Sequence, residues 1–469
     1  MSVLTWTREP GAAPIRASSR LRHLRASHHA MWNYLTYRDA IALVGLDPAH
    51  VYPNGQTRLD PDRWADLGWL TCFCGPPASA LEAMRGALGP ASVGQYTPDL
   101  IEPLREAAAA AFGRRRDGSF EVIGTEGGQA ALALALLAVV DPGDQVIVSD
   151  PGYFHLPSAV LAAGGEPVTV PVGAHSGFRL DPEEVGAAVT RRTRAICVVD
   201  PLNPYGTVQR RDELEALAEL AERHDLLLVH DVTHAPIALE QPPAFASLPA
   251  LGLTDRAVAV LSVSHCYGMA GARLGFLGGP PAFVRGCLQL KAALTRLNTN
   301  VVSQHGALAA LRDRAYLEDA ADTVRANLRH LEQTLAAIDG ARLAVRPQRG
   351  LACAIDVSES GASAQEVMVA LFARRVAVYP GDGLGENGAL STIRVNLSRP
   401  DRWAMEHLRE VLGEALAEAA GGRWRAAVVE AMRAKGTERA TRLAERIAGL
   451  SGGPAGVRVG VQEPPRGAG

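Results

Sequence analysis

The sequence predicts an α/β fold, with a mostly parallel seven-stranded sheet between helices in a large domain and a smaller α+β domain beside it. Three observations predict it. From about residue 120 to 280, short β-branched apolar runs alternate with stretches of helical period, as parallel strands joined by crossover helices require. At 469 residues the chain is long enough for a large domain with a buried core and a second, smaller one. Beyond residue 315, a long helical stretch over 316–338 precedes strands near 353–357 and 392–397, the composition of an α+β unit.

Taken in order, the strands are expected at 121–123, 145–148, 167–172, 195–199, 226–229, 258–263 and 274–277. Between the fourth and fifth, the segment after Asp212 puts Leu214, Leu217, Ala218 and Ala221 on one helical face and leaves Glu213, Glu215 and Glu219 in water. The first 60 residues have weak periodicity and turn signals such as Tyr52-Pro53-Asn54-Gly55. Residues 451–469, rich in Gly and Pro, are expected to be disordered. No internal repeat is present.

Hydrophobic residues make up 47%, charged residues 21%, and the net charge is −3, so the basic excess that would neutralise nucleic-acid phosphates or an anionic membrane is missing. Small-molecule chemistry is the better expectation. The apolar run 130–140 is too short to span a bilayer and stops at Asp141-Pro142, and the N-terminus lacks the apolar core of a secretory signal. A cytoplasmic protein follows. Six cysteines are too few for a disulfide scaffold in such a chain; Cys72 and Cys74 form a CxC pair without a second pair at zinc spacing and are expected to be buried or partly buried thiols. Lysine occurs only at Lys291 and Lys435.

The chemistry-bearing segments follow the predicted strands. Gly124-Thr-Glu-Gly-Gly-Gln-Ala-Ala-Leu132 opens a helix with two glycines whose N–H groups can cradle an anion at Gly127, Gly128 and Gln129; taken alone it reads more readily as a plain strand-to-helix turn. Asp150-Pro-Gly-Tyr153, Asp200-Pro-Leu-Asn-Pro-Tyr-Gly206 and Asp231 with His234 come next. Then Ser262-Val-Ser-His-Cys-Tyr-Gly-Met-Ala-Gly-Ala-Arg-Leu-Gly275 places His265 and Arg273 eight positions apart. Tyr96, in Gly94-Gln-Tyr-Thr-Pro, and Arg394, in Thr392-Ile-Arg-Val-Asn-Leu397, complete the set.

In this order the segments resemble the class I/II aminotransferase family, fold type I enzymes dependent on pyridoxal 5'-phosphate (PLP). The resemblance runs from about residue 69 to 419. It implies a phosphate cradle at Gly127, Gly128, Gln129, Ser262 and Arg273, whose guanidinium meets two phosphate oxygens at once. It implies a ring stacked by Tyr153, a ring oxygen bonded by Asn203 and faced by His234, and a pyridinium nitrogen paired with Asp231, which makes the ring an electron sink. Tyr96 would reach a neighbouring subunit's cofactor, implying a homodimer, and Arg394 would grip the carboxylate of an amino acid or keto acid. The implied division is an extension over 1–60, a small domain from 61–95 with 315–420, a large cofactor-binding domain over 96–314, and a C-terminal helix and disordered tail over 421–469.

The sequence departs from the family at the cofactor lysine, replaced by His265, and at positions filled by Asp200, Tyr205 and His234. Imidazole cannot form a stable Schiff base, but it titrates near neutrality and can still transfer a proton. Lys291 and Lys435 are expected to be solvated rather than substitutes. The leading expectation is therefore PLP or pyridoxamine phosphate (PMP) bound non-covalently, with His265 as base in transamination, elimination or related chemistry. A catalytically inactive scaffold and a metal site lined by His155, His230, His234 and His265 are the alternatives, although no spacing among those histidines forms a recognised ligand motif.

Overall fold

The computed structural model describes residue 24 and residues 33–51, 59–60, 63–240, 245–253 and 256–450. The turn at 52–55 and the tail over 451–469 lie outside the described residues. Seven strands form the central sheet: β1 (Glu121–Thr125), β2 (Gln145–Asp150), β3 (Glu166–Pro171), β4 (Thr193–Val199), β5 (Leu227–Asp231), β6 (Ala257–Ser262) and β7 (Gly275–Gly279). Their order is β1-β7-β6-β5-β4-β2-β3, with β7 antiparallel to both neighbours and every other pair parallel.

Burial on both faces explains the apolar runs: β6 is buried at every position, as are four of the five residues of β5. Helices Gly128–Leu137, Leu156–Ala163, Arg211–Arg223 and Pro281–Leu294 supply crossovers and cover. Helix Arg211–Arg223 buries Leu214, Leu217 and Ala221 as its period requires, but it also buries Glu213, which was expected in water. The Glu213 carboxylate accepts the Arg210 N–H at 2.8 Å and pairs with Arg179 at 3.1 Å, and those partners offset the cost of enclosing it.

A second sheet contains β8 (Arg342–Leu343), β9 (Ala352–Asp356), β10 (Tyr379–Pro380) and β11 (Thr392–Asn396), antiparallel in the order β10-β11-β9-β8. The helix expected over 316–338 runs from Arg314 to Ala336 and packs against this sheet and against helix Trp403–Ala420. Where one C-terminal helix was expected there are two, Arg425–Ala434 and Glu438–Ala448. Gly436 breaks them in the left-handed region at φ +68°, and Thr437 caps the second by accepting the Ala440 N–H at 3.2 Å. Among the described residues no helix is long and apolar enough to cross a membrane.

Candidate active site

The C-terminal ends of β1, β4, β5 and β6 open onto one pocket of about 620 Å³, the position where open parallel sheets bind ligands. Of the residues singled out above, Gly128, Gln129, Tyr153, Asn203, Asp231, His234, Ser262, His265 and Arg273 line it. Val199, Thr233, Ser264 and Ala270 complete the lining. Thr233 lies between Asp231 and His234, and Ser264 directly before His265, so the sequence marked both only as neighbours.

The wall at Gly127 and Arg273 is built by close backbone approach. Gly127 has φ +95°, and a Cβ there would lie 2.7 Å from Arg273 Nη2. Arg273 is itself left-handed at φ +52°, a strained setting for a side chain, and donates to the carbonyls of Ala270 at 3.1 Å and Glu126 at 2.9 Å. Its guanidinium is thus fixed beside the first turn of helix Gly128–Leu137, whose free N–H groups favour negative charge. Ser262 Oγ and Ser264 Oγ lie 2.9 Å apart in the same wall.

Asp231, the last residue of β5, is the one carboxylate in the lining. Burial pushes its carboxyl up, opposed by the Thr233 N–H that Oδ1 accepts at 3.0 Å. Tyr153 is pushed up by burial as well, so its phenol stays neutral. Asn203 Oδ1 accepts from Arg394 Nη1 at 3.2 Å, and Gly68 O accepts from Nη2 at 2.8 Å. Arg394 is 2% exposed, lies over the Tyr379 ring at 4.5 Å, has no carboxylate partner among the described residues, and leaves Nε without an acceptor.

His265 lines the pocket with Nδ1 2.5 Å from the Leu70 carbonyl oxygen. A carbonyl only accepts, so Nδ1 carries the proton and Nε2 keeps its lone pair. Burial holds the imidazole down to about 4, partly opposed by the Leu70 hydrogen bond and reinforced by Arg394 and Arg273. His265 is therefore neutral at pH 7. Leu70 could not have been found from sequence, because a backbone carbonyl carries no residue signature.

Neither lysine lines the pocket. The expectation that both are solvated is overturned: Lys291 is fully buried on helix Pro281–Leu294, 2.6 Å from Asp99 Oδ1 and donating to Leu297 O at 2.6 Å. A fixed carboxylate and a carbonyl offset the cost of enclosing its ammonium. Lys435 is half-buried and pairs with Asp39 at 2.6 Å. Tyr96 is 80% exposed, outside the pocket of its own chain, beneath the Arg296 guanidinium.

The histidines do not gather around one point. His230 is buried behind the pocket: Leu248 N–H donates to its Nδ1 at 3.1 Å, so its Nε2–H faces Asp200 Oδ2 at 3.1 Å. Tyr205 is likewise buried outside the lining, against Phe178. Among the described residues no group of three or more His, Cys, Asp or Glu side chains is placed to hold a metal ion.

The architecture is that of a fold type I PLP-dependent enzyme. Residues 73–412 match the family model described as aminotransferase class I and II. The chain is 32% identical over 346 residues to an aspartate/prephenate aminotransferase of Thermus thermophilus, covering 72% of this chain and 88% of that one. It is 32% identical over 367 residues to an LL-diaminopimelate aminotransferase of Gloeobacter violaceus, covering 74% and 88%. The solved aspartate aminotransferase of Thermus thermophilus with maleate superposes with a TM-score of 0.70 at 28% identity, covering 85% of this chain and 100% of that one. The chain belongs to the class I and II aminotransferase family.

Proposed function

We propose that this protein binds PLP or PMP without a covalent link and uses His265 as the proton-transfer base on an amino acid or keto acid. The observation that carries the proposal is the tautomer of His265: a neutral imidazole, its Nδ1–H bonded to Leu70, with Nε2 left as the base in the pocket of a family that uses lysine there. The pocket residues fit the cofactor. A Cβ at Gly127 would fill the cradle against Arg273, whose guanidinium bonds only backbone carbonyls among the described residues and so lacks an anion.

Gly128, Gln129, Ser262 and Arg273 would hold the phosphate, Tyr153 the ring face, Asn203 and His234 the ring oxygen, and Asp231 the proton on the ring nitrogen. When bound, the cofactor supplies an electron sink that acidifies the carbon bearing the substrate amine. Arg394 receives the substrate carboxylate, which supplies the anion that its guanidinium lacks. The maleate in the solved relative's description is a dicarboxylate, consistent with such a grip. His265 Nε2 then takes the proton from the activated carbon.

The same proposal includes the division of the chain: every lining residue falls within 128–273, and Arg394 comes from the second sheet. It also includes a homodimer in which Tyr96 serves the neighbouring site. A scaffold role predicts loss of Asp231, Arg273 and Arg394 along with the lysine, and all three are retained around one pocket or its edge. Adding PLP should give the absorbance of the free aldehyde, with no protein adduct after borohydride. An adduct on Lys291 or Lys435 would overturn the non-covalent assignment. His265→Ala should abolish α-proton exchange of a bound amino acid in D2O while PLP affinity changes little; undiminished exchange would remove His265 from the mechanism.

A further inference from the structure

Two of the departures from the family pattern, His265 and His234, touch each other. Their ring centroids are 4.6 Å apart with planes inclined by 35°, and both rings line the pocket. They are held differently. The His265 ring is pinned by Leu70 O, which fixes a side chain with only two torsions. His234 is 8% exposed, and no described residue forms a hydrogen bond to its ring. It is a buried polar group with both nitrogens uncommitted.

The pinning has a chemical consequence. Amino-group transfer takes a proton from one carbon and delivers one to a second carbon two bonds away. A lysine with four side-chain torsions can serve both, whereas an imidazole tethered at Nδ1 presents Nε2 to a single point.

We propose that His234 is the second half of the proton-transfer apparatus: His265 takes the proton from the substrate carbon, the proton crosses to His234 through a water in the pocket, and His234 delivers it to the second carbon. This rests on the assignment of His265 as base. One proton is moved and no co-reactant is consumed: His265 Nε2 gains it and loses it, and a ring nitrogen of His234 gains it and gives it up. The charges around the pair suit a single travelling proton. Among the described residues Arg394 acts on both rings and Arg273 on His265, the Leu70 carbonyl is the one group favouring charge on His265, and no carboxylate acts on either ring. Two imidazoliums at this separation would repel each other as well as the arginines, so the pair holds one proton at a time.

The test uses the full chain in two experiments. In cofactor-free, 15N-histidine-labelled protein, NMR titration should show His234 charging at a pH at least about one unit higher in His265→Asn than in the parent, because a repelling neighbour has gone. An unchanged midpoint, or simultaneous charging of both rings in the parent, would overturn the pair. With PLP and L-aspartate or L-glutamate in D2O, His234→Asn, whose lost contact at the ring oxygen affects both readouts alike, should slow conversion of PLP to PMP at least about 30-fold more than it slows α-proton exchange. His234→Tyr, whose phenol does not carry the proton at neutral pH, should behave alike and replaces the asparagine variant if that one misfolds. Equal loss of exchange and conversion, or loss of neither, sinks the role of His234. Exchange that survives in His265→Asn sinks the base assignment instead, so the two failures are distinguishable.

Discussion

Arg394→Met removes the guanidinium but keeps a long side chain, and its effects on folding and on binding differ in size. In the free protein the guanidinium is 2% exposed, bonds only Asn203 Oδ1 and Gly68 O, and leaves Nε unpaired. Two hydrogen bonds from a charged donor contribute about 1.5–3 kcal/mol each. Against them stands the desolvation of a cation without a counter-ion, several kcal/mol of opposite sign. The two nearly cancel, so stability should change by no more than about 2 kcal/mol, a few degrees in Tm. With a substrate carboxylate in place, the same substitution leaves a buried charge unpaired, a cost of about 3–5 kcal/mol. That corresponds to a loss of about 100-fold to 1,000-fold or more in kcat/KM. The assay compares an amino acid with the amine that lacks its carboxylate, in parent and variant. The parent should prefer the amino acid strongly, and Arg394→Met should lose most of that preference. A variant that melts more than 10 °C lower, or that weakens both ligands equally, refutes the carboxylate role and leaves Arg394 as a structural cation.

Gly127→Ala forces a Cβ into the left-handed backbone and to 2.7 Å from Arg273 Nη2. PLP should bind at least about tenfold more weakly by absorbance titration while dephosphorylated pyridoxal is unaffected, and folding should lose about 1–3 kcal/mol. For His265, with a folded-state pKa of about 4 against 6.5 unfolded, the unfolded chain binds more protons as pH falls from 6.5 to 4. Stability is therefore lost over that window, by up to about 3 kcal/mol, and His265→Asn should be spared most of it in denaturant melts at pH 7 and 4.5. Asp382, raised to about 6 by burial, acts in the opposite sense over part of the window, but it cancels when variant and parent are compared at the same pH. Arg439→Met removes donors to Asp382 O, Gly385 O and Asn33 O and should speed hydrogen exchange at residues 382–387, which bond the Asp150 loop leading to Tyr153. Leu88, Val93, Tyr96, Leu294 and Leu297 are exposed apolar side chains near the Arg296–Tyr96 contact, so Val93→Arg should convert the proposed dimer to monomer in sedimentation.

The inner strands were legible because both their faces are buried and their apolar runs are continuous. Their ends were not, and the site residues are at those ends. β5 was expected to stop at Val229, where the apolar run stops, yet the strand carries His230 and Asp231 before it ends. A functional strand in such a sheet finishes in polar residues that face the pocket, which is where hydrophobic patterning fails. The two-residue strands Arg342–Leu343 and Tyr379–Pro380 are too short for any period. Lys291 was misplaced because a lone lysine on a helix gives no hint of Asp99, 192 positions away.

What one sequence could not convey is that the departures are paired in space. Asp200, just past the end of β4 at a position where the resemblance implies asparagine, meets His230 of β5, whose register partner on β4 is Val198, with both side chains fully enclosed. A lone carboxylate there would be costly, and the imidazole N–H at 3.1 Å together with the Gln209 N–H at the other oxygen makes it tolerable. His265 and His234, at the positions where the resemblance implies lysine and tyrosine, also meet, with ring centroids 4.6 Å apart. Three of the four departures, Asp200, His265 and His234, thus have a partner whose chemistry answers them, an imidazole donor for the carboxylate and a free imidazole for the pinned one. Decay of an idle site would scatter changes without such matching, and it would not spare Asp231 and Arg273 in the same wall. The pairing supports the proposal that a histidine pair carries the proton chemistry of a pocket whose other lining groups fit the cofactor.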